Sequence, residues 1–385
     1  MARRIAVMTG TRADFGLLRG LCAEIDGSTE TELLLIATGT HVSEQHGSTL
    51  SEITAAGFTP AALVPIWSDQ DDSVAMAHDT GAAIGAFAET LASLSPDMVV
   101  VLGDRLEAFA MATAATIGLI PVVHIHGGEL TEGAMDDALR HSITKLSYLH
   151  FTTTDEHRQR VIQLGEDPAR VFNLGAPIVD IVDSIEFMSR DEIEDTFGVS
   201  FGDRTILMTF HPAAFDERPA AQMIDEILQA CASIADAKII VTGTNNDIGS
   251  DVVRDAIATF VAANPTTSSF VESFGQRGYL SAVREADVVV GNSSSTVLEA
   301  PIVGTPSVLV GLRQSGRPLS TSVSAVSANR SEIVSAINDA IASGHANKSE
   351  SSVFGTPGFA KRALVELVRQ SIPRPPRKAF WEVEQ

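Results

Sequence analysis

The chain has 385 residues, of which 44% are hydrophobic and 20% charged, and a formal net charge of −22. That length exceeds what one hydrophobic core usually supports, so two domains are expected. The acidity excludes a nucleic-acid or anionic-membrane partner, which would need a basic face, and leaves any polyanionic ligand to be held by local donors. Cys22 and Cys231 lie far apart and form neither a disulfide framework nor a metal-ligand spacing, which fits a reducing cytoplasm. The N-terminal MARRIAVMTGTRAD is basic, but its apolar run is too short for a signal peptide, and no segment has the apolar length needed to span a bilayer. A soluble cytoplasmic protein is expected.

Short β-branched runs alternate with longer Ala- and Leu-rich amphipathic segments. Strands are predicted over 5–8, 33–37, 63–66, 98–102, 122–125, 150–152 and 171–173, with helical periodicity between them, clearest over 73–94 and 106–117. The pattern restarts with strands over 205–209, 238–242, 269–271, 288–290 and 307–310, separated by helices such as 220–235 and 251–263. Repeated βα units imply parallel sheets covered on both faces and joined by right-handed crossovers, hence two Rossmann-like α/β domains facing a cleft. The boundary is expected between Gly175 and Val199. That places an N-terminal domain over 1–180, a C-terminal domain over 190–355, and a tail over 356–385 whose IPRPPR cannot continue a helix and packs back on the first domain.

In open α/β sheets ligands bind at the carboxyl ends of strands, so the loops there carry the chemistry. The first, TGTRADFG, can present backbone N–H groups and Arg12 to a phosphate at a helix N-terminus; its plainer reading is a βα turn with Asp14 as helix cap. Its glycine spacing is not the dinucleotide fingerprint. The second ends in His41, an imidazole able to titrate near neutrality, or else a solvated loop histidine. Asp104 follows a strand too apolar to be exposed. Burial would raise its pKa and Arg105 would lower it, the tension an acid/base carboxylate needs; the plainer role is capping the helix from Leu106.

In HIHGGE, His124 and His126 share one face of a strand, which raises a zinc hydrolase as a minor reading. No companion Cys or His spacing supports it, and the two glycines before Glu129 suit close approach of a ligand. Asp136, Arg140 and Lys145 fall on a helix beginning near Gly133. Asp136 and Arg140, four apart, share a face and read most plainly as a surface pair.

In the second half, DVVVG runs into Asn292, Ser293, Ser294, Ser295 and Thr296, then into a helix that contains Glu299 and stops near Gly304. Hydroxyls and free N–H groups at a helix start make an anion cradle that needs no net positive charge. Glu299, one turn on, can accept hydrogen bonds from ribose hydroxyls. Arg313 and Arg317 in GLRQSGR add cationic reach, His211 in HPAA points at the same place, and Thr242 to Asp247 reads as a further rim loop.

TGTRADFG, LGDRLEAF, HIHGGELTEGAMDDALRHSITKLS, the second-domain HP, GNSSS with Glu299, and GTP followed by GLRQSGR occur in order over about residues 3 to 320. Together they resemble the UDP-N-acetylglucosamine 2-epimerase family, most closely its hydrolysing branch, which makes N-acetylmannosamine for sialic acids or the bacillosamine-derived sugar for legionaminic acid. The resemblance implies the glycosyltransferase-B fold. It also implies a UDP-sugar substrate, no NAD, flavin or metal cofactor, and a homodimer or homotetramer. It puts UDP on Ser293, Ser294, Glu299, Arg313 and His211, with Arg12 reaching across. Acid/base work falls on Asp104, the HxHGGE segment and Asp136, supported by Arg140, Asp14 and His41. Some members carry a glutamate where this chain has His126, so His126 and Glu129 stand as alternative proton carriers.

The chemistry so implied is loss of the C2 proton and UDP to give a glycal, followed by addition of water. A glycosyltransferase, a non-hydrolysing epimerase and a catalytically silent nucleotide-sugar sensor are the rivals. Loops over 67–75 and 130–135 are expected to line the sugar's 4- and 6-substituents.

Overall fold

Strands buried on both faces need apolar side chains pointing each way, which is why the runs predicted as strands are nearly unbroken Val, Ile, Leu and Ala. The computed structural model describes residues 2–43, 49–66, 72–130, 135–212, 218–244, 249–346, 352–373 and 375–382. Seven strands form the first sheet: β1 (Arg3–Thr9), β2 (Thr31–Thr38), β3 (Ala62–Val64), β4 (Met98–Leu102), β5 (Val122–Ile125), β6 (Leu149–Thr152) and β7 (Val171–Asn173). Six form the second: β8 (Arg204–Thr209), β9 (Ala237–Thr242), β10 (Ser268–Val271), β11 (Val288–Gly291), β12 (Ser307–Val310) and β13 (Val323–Val326).

The strand orders are β3-β2-β1-β4-β5-β6-β7 and β10-β9-β8-β11-β12-β13, with every pairing parallel. Both are doubly wound Rossmann-like sheets of the expected class. Twelve of these thirteen strands coincide with sequence-predicted ones to within two residues at each end. Strand β13 was missed because VSAV is a half-exposed edge strand with no apolar run to mark it.

The strand order reverses between β1 and β4 in the first sheet and between β8 and β11 in the second. Crossovers on the two sides of such a point run to opposite faces, which leaves a crevice at the carboxyl ends. The residues placed there are Thr9–Asp14 with Gly103–Glu107, and His211 with Asn292–Ser294.

Alternation along β1 supplies both faces of the first core. Ile5 and Val7 pack with Leu18, Leu21 and Phe359 from helices Arg12–Gly27 and Phe359–Arg369. Ala6 and Met8 pack with Phe87 and Met111 from helices Ser73–Leu94 and Leu106–Ile117, both as predicted. In the second sheet Ile206, Met208, Ile239, Val241, Val288 and Val290 meet Ile224, Ile227 and Ile337. Helix Ala220–Ala232 ends three residues short of expectation, where the Ser233 N–H turns back to Ala230. The helix expected near Gly133 spans Met135–Leu146, and Gly133 itself lies outside the described residues.

The described residues fall into two compact units. Residues up to Glu129, those over 135–181 and those from Gly355 onward form the first, and Val182 to Phe354 the second. Asp180 ties the C-terminal segment in place, its carboxylate accepting from the N–H groups of Gly358, Phe359 and Ala360 at 2.6, 3.0 and 2.9 Å and so capping helix Phe359–Arg369. Further on, the Lys378 ammonium donates to the carbonyls of Lys145 and Ser147 at the end of helix Met135–Leu146 and lies 2.7 Å from the buried Glu166. Among the described residues no helix is long and apolar enough to cross a membrane.

Four histidines among the described residues are enclosed in the first unit, each at most 1% exposed: His41 after β2, whose pKa burial also lowers, His124 on β5, His150 on β6 and His157 on helix Asp155–Gln163. Burial pushes His124 down to about 3 and His157 to about 4, and it lowers His150 despite the hydrogen bond to Glu166. From 6.5 downward the unfolded chain takes up protons that the folded chain refuses.

Two outcomes follow. Urea-unfolding free energy should be level near neutrality and fall by a few kcal/mol per pH unit as the pH drops from about 6.5 toward 4; a flat profile over that window would contradict neutral burial. Asp180→Ala should lower stability by about 2 kcal/mol in the same assay through loss of the charged cap, whereas an unchanged midpoint would show that the C-terminal helix docks without it.

Candidate active site

The first set of ionisable groups is built on the ends of β1, β2, β4 and β5. Gly103 turns the chain after β4, its N–H held by the Ile125 carbonyl at 2.9 Å. Asp104 thereby faces the buried Arg140, with which it forms a direct ion pair, and Arg140 also stands 4.0 Å from Asp137. The ion-pair partner of Asp104 is therefore Arg140, while Arg105 still feels the Asp104 charge. Arg140 is 4% exposed, so it is no mere member of a surface pair, while Asp136 sits exposed on the first turn of the same helix. Nor does Asp104 cap helix Leu106–Ile117, whose cap position is Arg105 with no side-chain cap bond.

Arg105 turns instead to Glu107, Nε to Oε2 at 3.3 Å. Burial works against the Arg105 charge, but Glu107 and then Asp14 outweigh it and hold the guanidinium above its ordinary value. Glu107 is 2% exposed. Its carboxylate lies behind two loops: a Cβ added to Gly39, whose φ is +55°, would stand 3.0 Å from Glu107 Oε1 and 2.6 Å from the Gly10 carbonyl oxygen, so only glycine fits there. Asp14 shares this enclosure, and burial raises its pKa against the pull of Arg105. The helix cap expected of Asp14 is supplied by Thr11, whose hydroxyl accepts from the Asp14 N–H. Arg12 is largely exposed and lies 3.4 Å from Glu52.

His41 departs from both of its readings. It is fully buried, with Nε2 3.0 Å from the Thr9 hydroxyl and Nδ1 2.7 Å from that of Thr49, and burial pushes its pKa down rather than leaving it near neutrality. It packs edge-on to Phe15 and braces the loop after β2.

His124 and His126 also part company. His124 lies in β5 with Nε2 2.7 Å from the Gly103 carbonyl and Nδ1 3.1 Å from the Thr144 hydroxyl, so the ring donates to one and accepts from the other. Its task is to hold the turn that aims Asp104. His126 follows the strand end with φ +67°, a left-handed conformation that costs a side-chain-bearing residue about 1–3 kcal/mol and concentrates at functional sites. The strand-face argument fails because that backbone turn swings His126 off the sheet. Its Nδ1 lies 3.0 Å from Glu129 Oε1, while its enclosed Nε2 has no hydrogen-bond partner among the described residues. Among those residues no group of three His, Cys, Asp or Glu is placed to hold a metal ion.

The second set lies at the reversal between β8 and β11. Gly291 has φ +141°, and a Cβ there would fall 1.8 Å from the Thr209 carbonyl oxygen; β11 can run this close to β8 only because the residue is glycine. Asn292, fully buried, then clamps His211: its Oδ1 accepts from the His211 N–H at 2.8 Å and its Nδ2 donates to the His211 carbonyl at 2.7 Å. The Asn292 carbonyl in turn accepts from Arg313 at 3.3 Å and Gln314 at 3.0 Å. Ser293 and Ser294 stand half-buried at the loop surface, and Tyr279 donates to Ser295 at 2.6 Å from beneath.

The helix expected to start in the serine run is a 3₁₀ turn over Ser294–Thr296 followed by a five-residue helix Glu299–Val303 ended by Gly304. What this loop could offer an anion is therefore hydroxyls, loop N–H groups and arginines rather than a long helix dipole. Burial raises the Glu299 pKa, with Arg317 among the opposing influences, and its Oε2 is enclosed with no partner among the described residues. Thr244, on the expected rim loop, lies 3.3 Å from His211 Nδ1, while Asn245, Asn246 and Asp247 fall outside the described residues, as do most of the expected sugar-lining stretches, over 67–71 and 131–134.

Sequence reasoning missed Glu107, Thr153, His157 and Tyr279. Only Glu107 left a signal, as the one acid in the Ala-rich LEAFAMATAATI. The others carry no local pattern and gain their roles from neighbours distant in sequence.

The family model described as UDP-N-acetylglucosamine 2-epimerase matches residues 23–368. A protein of Campylobacter jejuni named GDP/UDP-N,N'-diacetylbacillosamine 2-epimerase (hydrolyzing) is 35% identical over 82% of this chain and 82% of its own length. A UDP-N-acetylglucosamine 2-epimerase of Neisseria meningitidis serogroup B is 33% identical over 89% of this chain and 88% of its own. The fold matches that of the crystal structure titled UDP-GlcNAc 2-epimerase from Neisseria meningitidis bound to UDP-GlcNAc, with a TM-score of 0.80 over 95% of this chain and 100% of that one at 17% identity. The chain belongs to the UDP-N-acetylglucosamine 2-epimerase family and has the two Rossmann-like domains of the glycosyltransferase-B class.

Proposed function

We propose that this epimerase-family protein is a hydrolysing UDP-N-acetylglucosamine 2-epimerase, converting the UDP-sugar and water to free N-acetylmannosamine and UDP. The observation that carries the reading is the pairing of two proton-handling assemblies, Asp104 with Arg140 and His126 with Glu129, at the ends of adjacent strands β4 and β5. The hydrolysing name of the Campylobacter jejuni relative supports it.

His126, with Nδ1–H given to Glu129 and no hydrogen-bond partner on Nε2 among the described residues, takes the proton from C2. The C2–H electron pair becomes the C1=C2 double bond, and the C1–O bond breaks with its electrons leaving on UDP. In the second half, water adds at C1, its proton passing to a carboxylate, and a proton is delivered to C2 from the opposite face. Asp104 and Asp136 are the carboxyls assigned to these transfers, with Arg140 fixing Asp104 and Asp14 placed to hydrogen-bond the sugar.

Because the C2 proton is weakly acidic, stabilising the departing diphosphate must supply much of the catalysis. That task is assigned to Ser293, Ser294, His211, Arg313 and Arg317, positioned through Asn292, with Arg12 and Arg105 as additional cations. Glu299 would take the ribose hydroxyls, which would satisfy its enclosed Oε2. A second reading has the same chemistry acting on UDP-2,4-diacetamido-2,4,6-trideoxyglucose, which the name of the Campylobacter jejuni relative favours.

Proton NMR of each UDP-sugar in D2O separates the possibilities. Free N-acetylmannosamine carrying deuterium at C2 is the expected product; UDP-N-acetylmannosamine would instead mean a non-hydrolysing epimerase, and turnover of the diacetamido sugar alone would establish the second reading. UDP binding with no exchange at C2 would leave only a sensor, and sugar release only with an acceptor would mean a transferase. Asp104→Asn should abolish turnover while sparing UDP affinity, and normal turnover would remove Asp104 from the proton transfers. Ser294→Ala with Arg313→Ala should weaken UDP binding by roughly 1.5–3 kcal/mol for each charged hydrogen bond lost, read by calorimetry; unaltered affinity would rule out the proposed cradle.

A further inference from the structure

Glu129 has a second neighbour that the reaction scheme does not use. Its Oε1, 3.0 Å from His126 Nδ1, is also 3.3 Å from the hydroxyl of Thr153, and that hydroxyl is 2.7 Å from Nδ1 of His157. Thr153 and His157 are 2% and 1% exposed. They lie where β6 runs into helix Asp155–Gln163, whose N-cap Thr154 accepts from the His157 N–H. From the same helix Arg160 donates to the Gly128 carbonyl, so the backbone entering Glu129 is held as well as its side chain.

A threonine hydroxyl has one proton. If that proton goes to Glu129, the oxygen must accept from His157, which therefore carries its own proton on Nδ1. We infer that Thr153 and His157 are positioning residues for proton transfer at His126, through the directed chain His157 Nδ1–H to Thr153 Oγ–H to Glu129, with Glu129 also accepting from His126 Nδ1–H. The inference rests on the assignment of His126 above. Its consequence is that the proton of neutral His126 is kept on Nδ1 and Nε2 is kept bare, the arrangement a base requires.

Neutral His157 fits the chain, since a protonated ring in this enclosure would carry a second N–H on Nε2, which has no partner among the described residues. The charged and titratable groups that act on His157 are Glu129 and His126 from the loop after β5, and Arg160 and Glu156 from its own helix. Neither Thr153 nor His157 is assigned contact with the sugar.

Thr153→Val keeps the shape and removes the hydroxyl, whereas Thr153→Ser keeps it. Loss of the donor leaves more of the Glu129 charge to His126 and favours its imidazolium. In Thr153→Val, kcat should fall roughly 10- to 100-fold with KM changed by less than about twofold. The acid limb of the kcat profile should move to higher pH, and the ring titration of His126, followed by histidine NMR in substrate-free protein, should move with it. Thr153→Ser should restore all three.

Wild-type kcat, limb and titration in Thr153→Val would overturn the inference, as would equal losses in both variants accompanied by a lower melting temperature. Should Thr153→Val fail to fold, the comparison passes to His157→Asn, which retains an N–H near the Nδ1 position and should keep the limb, against His157→Leu, which should shift it; indistinguishable profiles would count against the chain. If the wild type turns over neither UDP-sugar, the functional reading fails, while the His126 titration still reports on Thr153 and His157.

Discussion

Two parallel sheets, each covered on both faces, impose the constraint from which the site follows. The β4 strand MVVVL is at most 8% exposed along its whole length, so a charged side chain there would be buried without water until the chain leaves the sheet. The ionisable groups within β5 and β6, His124 and His150, are hydrogen-bonded, with their pKa values lowered by burial. All candidate chemistry is thereby driven to the carboxyl ends, and the reversal of strand order concentrates it beside β1 and β4 in one unit and beside β8 and β11 in the other.

The chain carries a net charge of −22, against which the proposed anionic UDP-sugar would have to bind. In the first unit the cations are neutralised locally, Arg140 with Asp104 and Arg105 with Glu107. The second presents serine hydroxyls and loop N–H groups beside its arginines, with an asparagine that spends both ends of its amide on the backbone of His211. The overall charge disfavours a nucleotide, so under the proposed function short-range hydrogen bonds would have to carry its recognition.

Histidine usage shows how burial sorts one residue type into different roles. His124 spends both ring nitrogens on a backbone carbonyl and a threonine, and burial pushes it to about 3. His41 sits between two hydroxyls with its pKa lowered. His126, in a strained backbone conformation with one nitrogen on Glu129 and the other unpartnered among the described residues, is the one whose surroundings suit a reacting group. A single residue, Ile125, separates His124 from His126, and a glycyl-like turn between strand and loop accounts for the difference.

Periodicity alone determined the two βα series, twelve of the thirteen described strands and the helices over 73–94 and 106–117, because burial on two faces leaves apolar runs that local reading detects. It also placed the polar loops at the strand ends, since a polar cluster after such a run has nowhere else to go. Only tertiary structure decided the partners. Asp104 took Arg140, 36 residues away, in place of the adjacent Arg105; Asp14 yielded the helix cap to Thr11; and Glu129 met Thr153, 24 residues on. Partner choice depends on which loops the strand order brings together and on the direction each backbone turn aims a side chain, and neither quantity has a local trace in the chain.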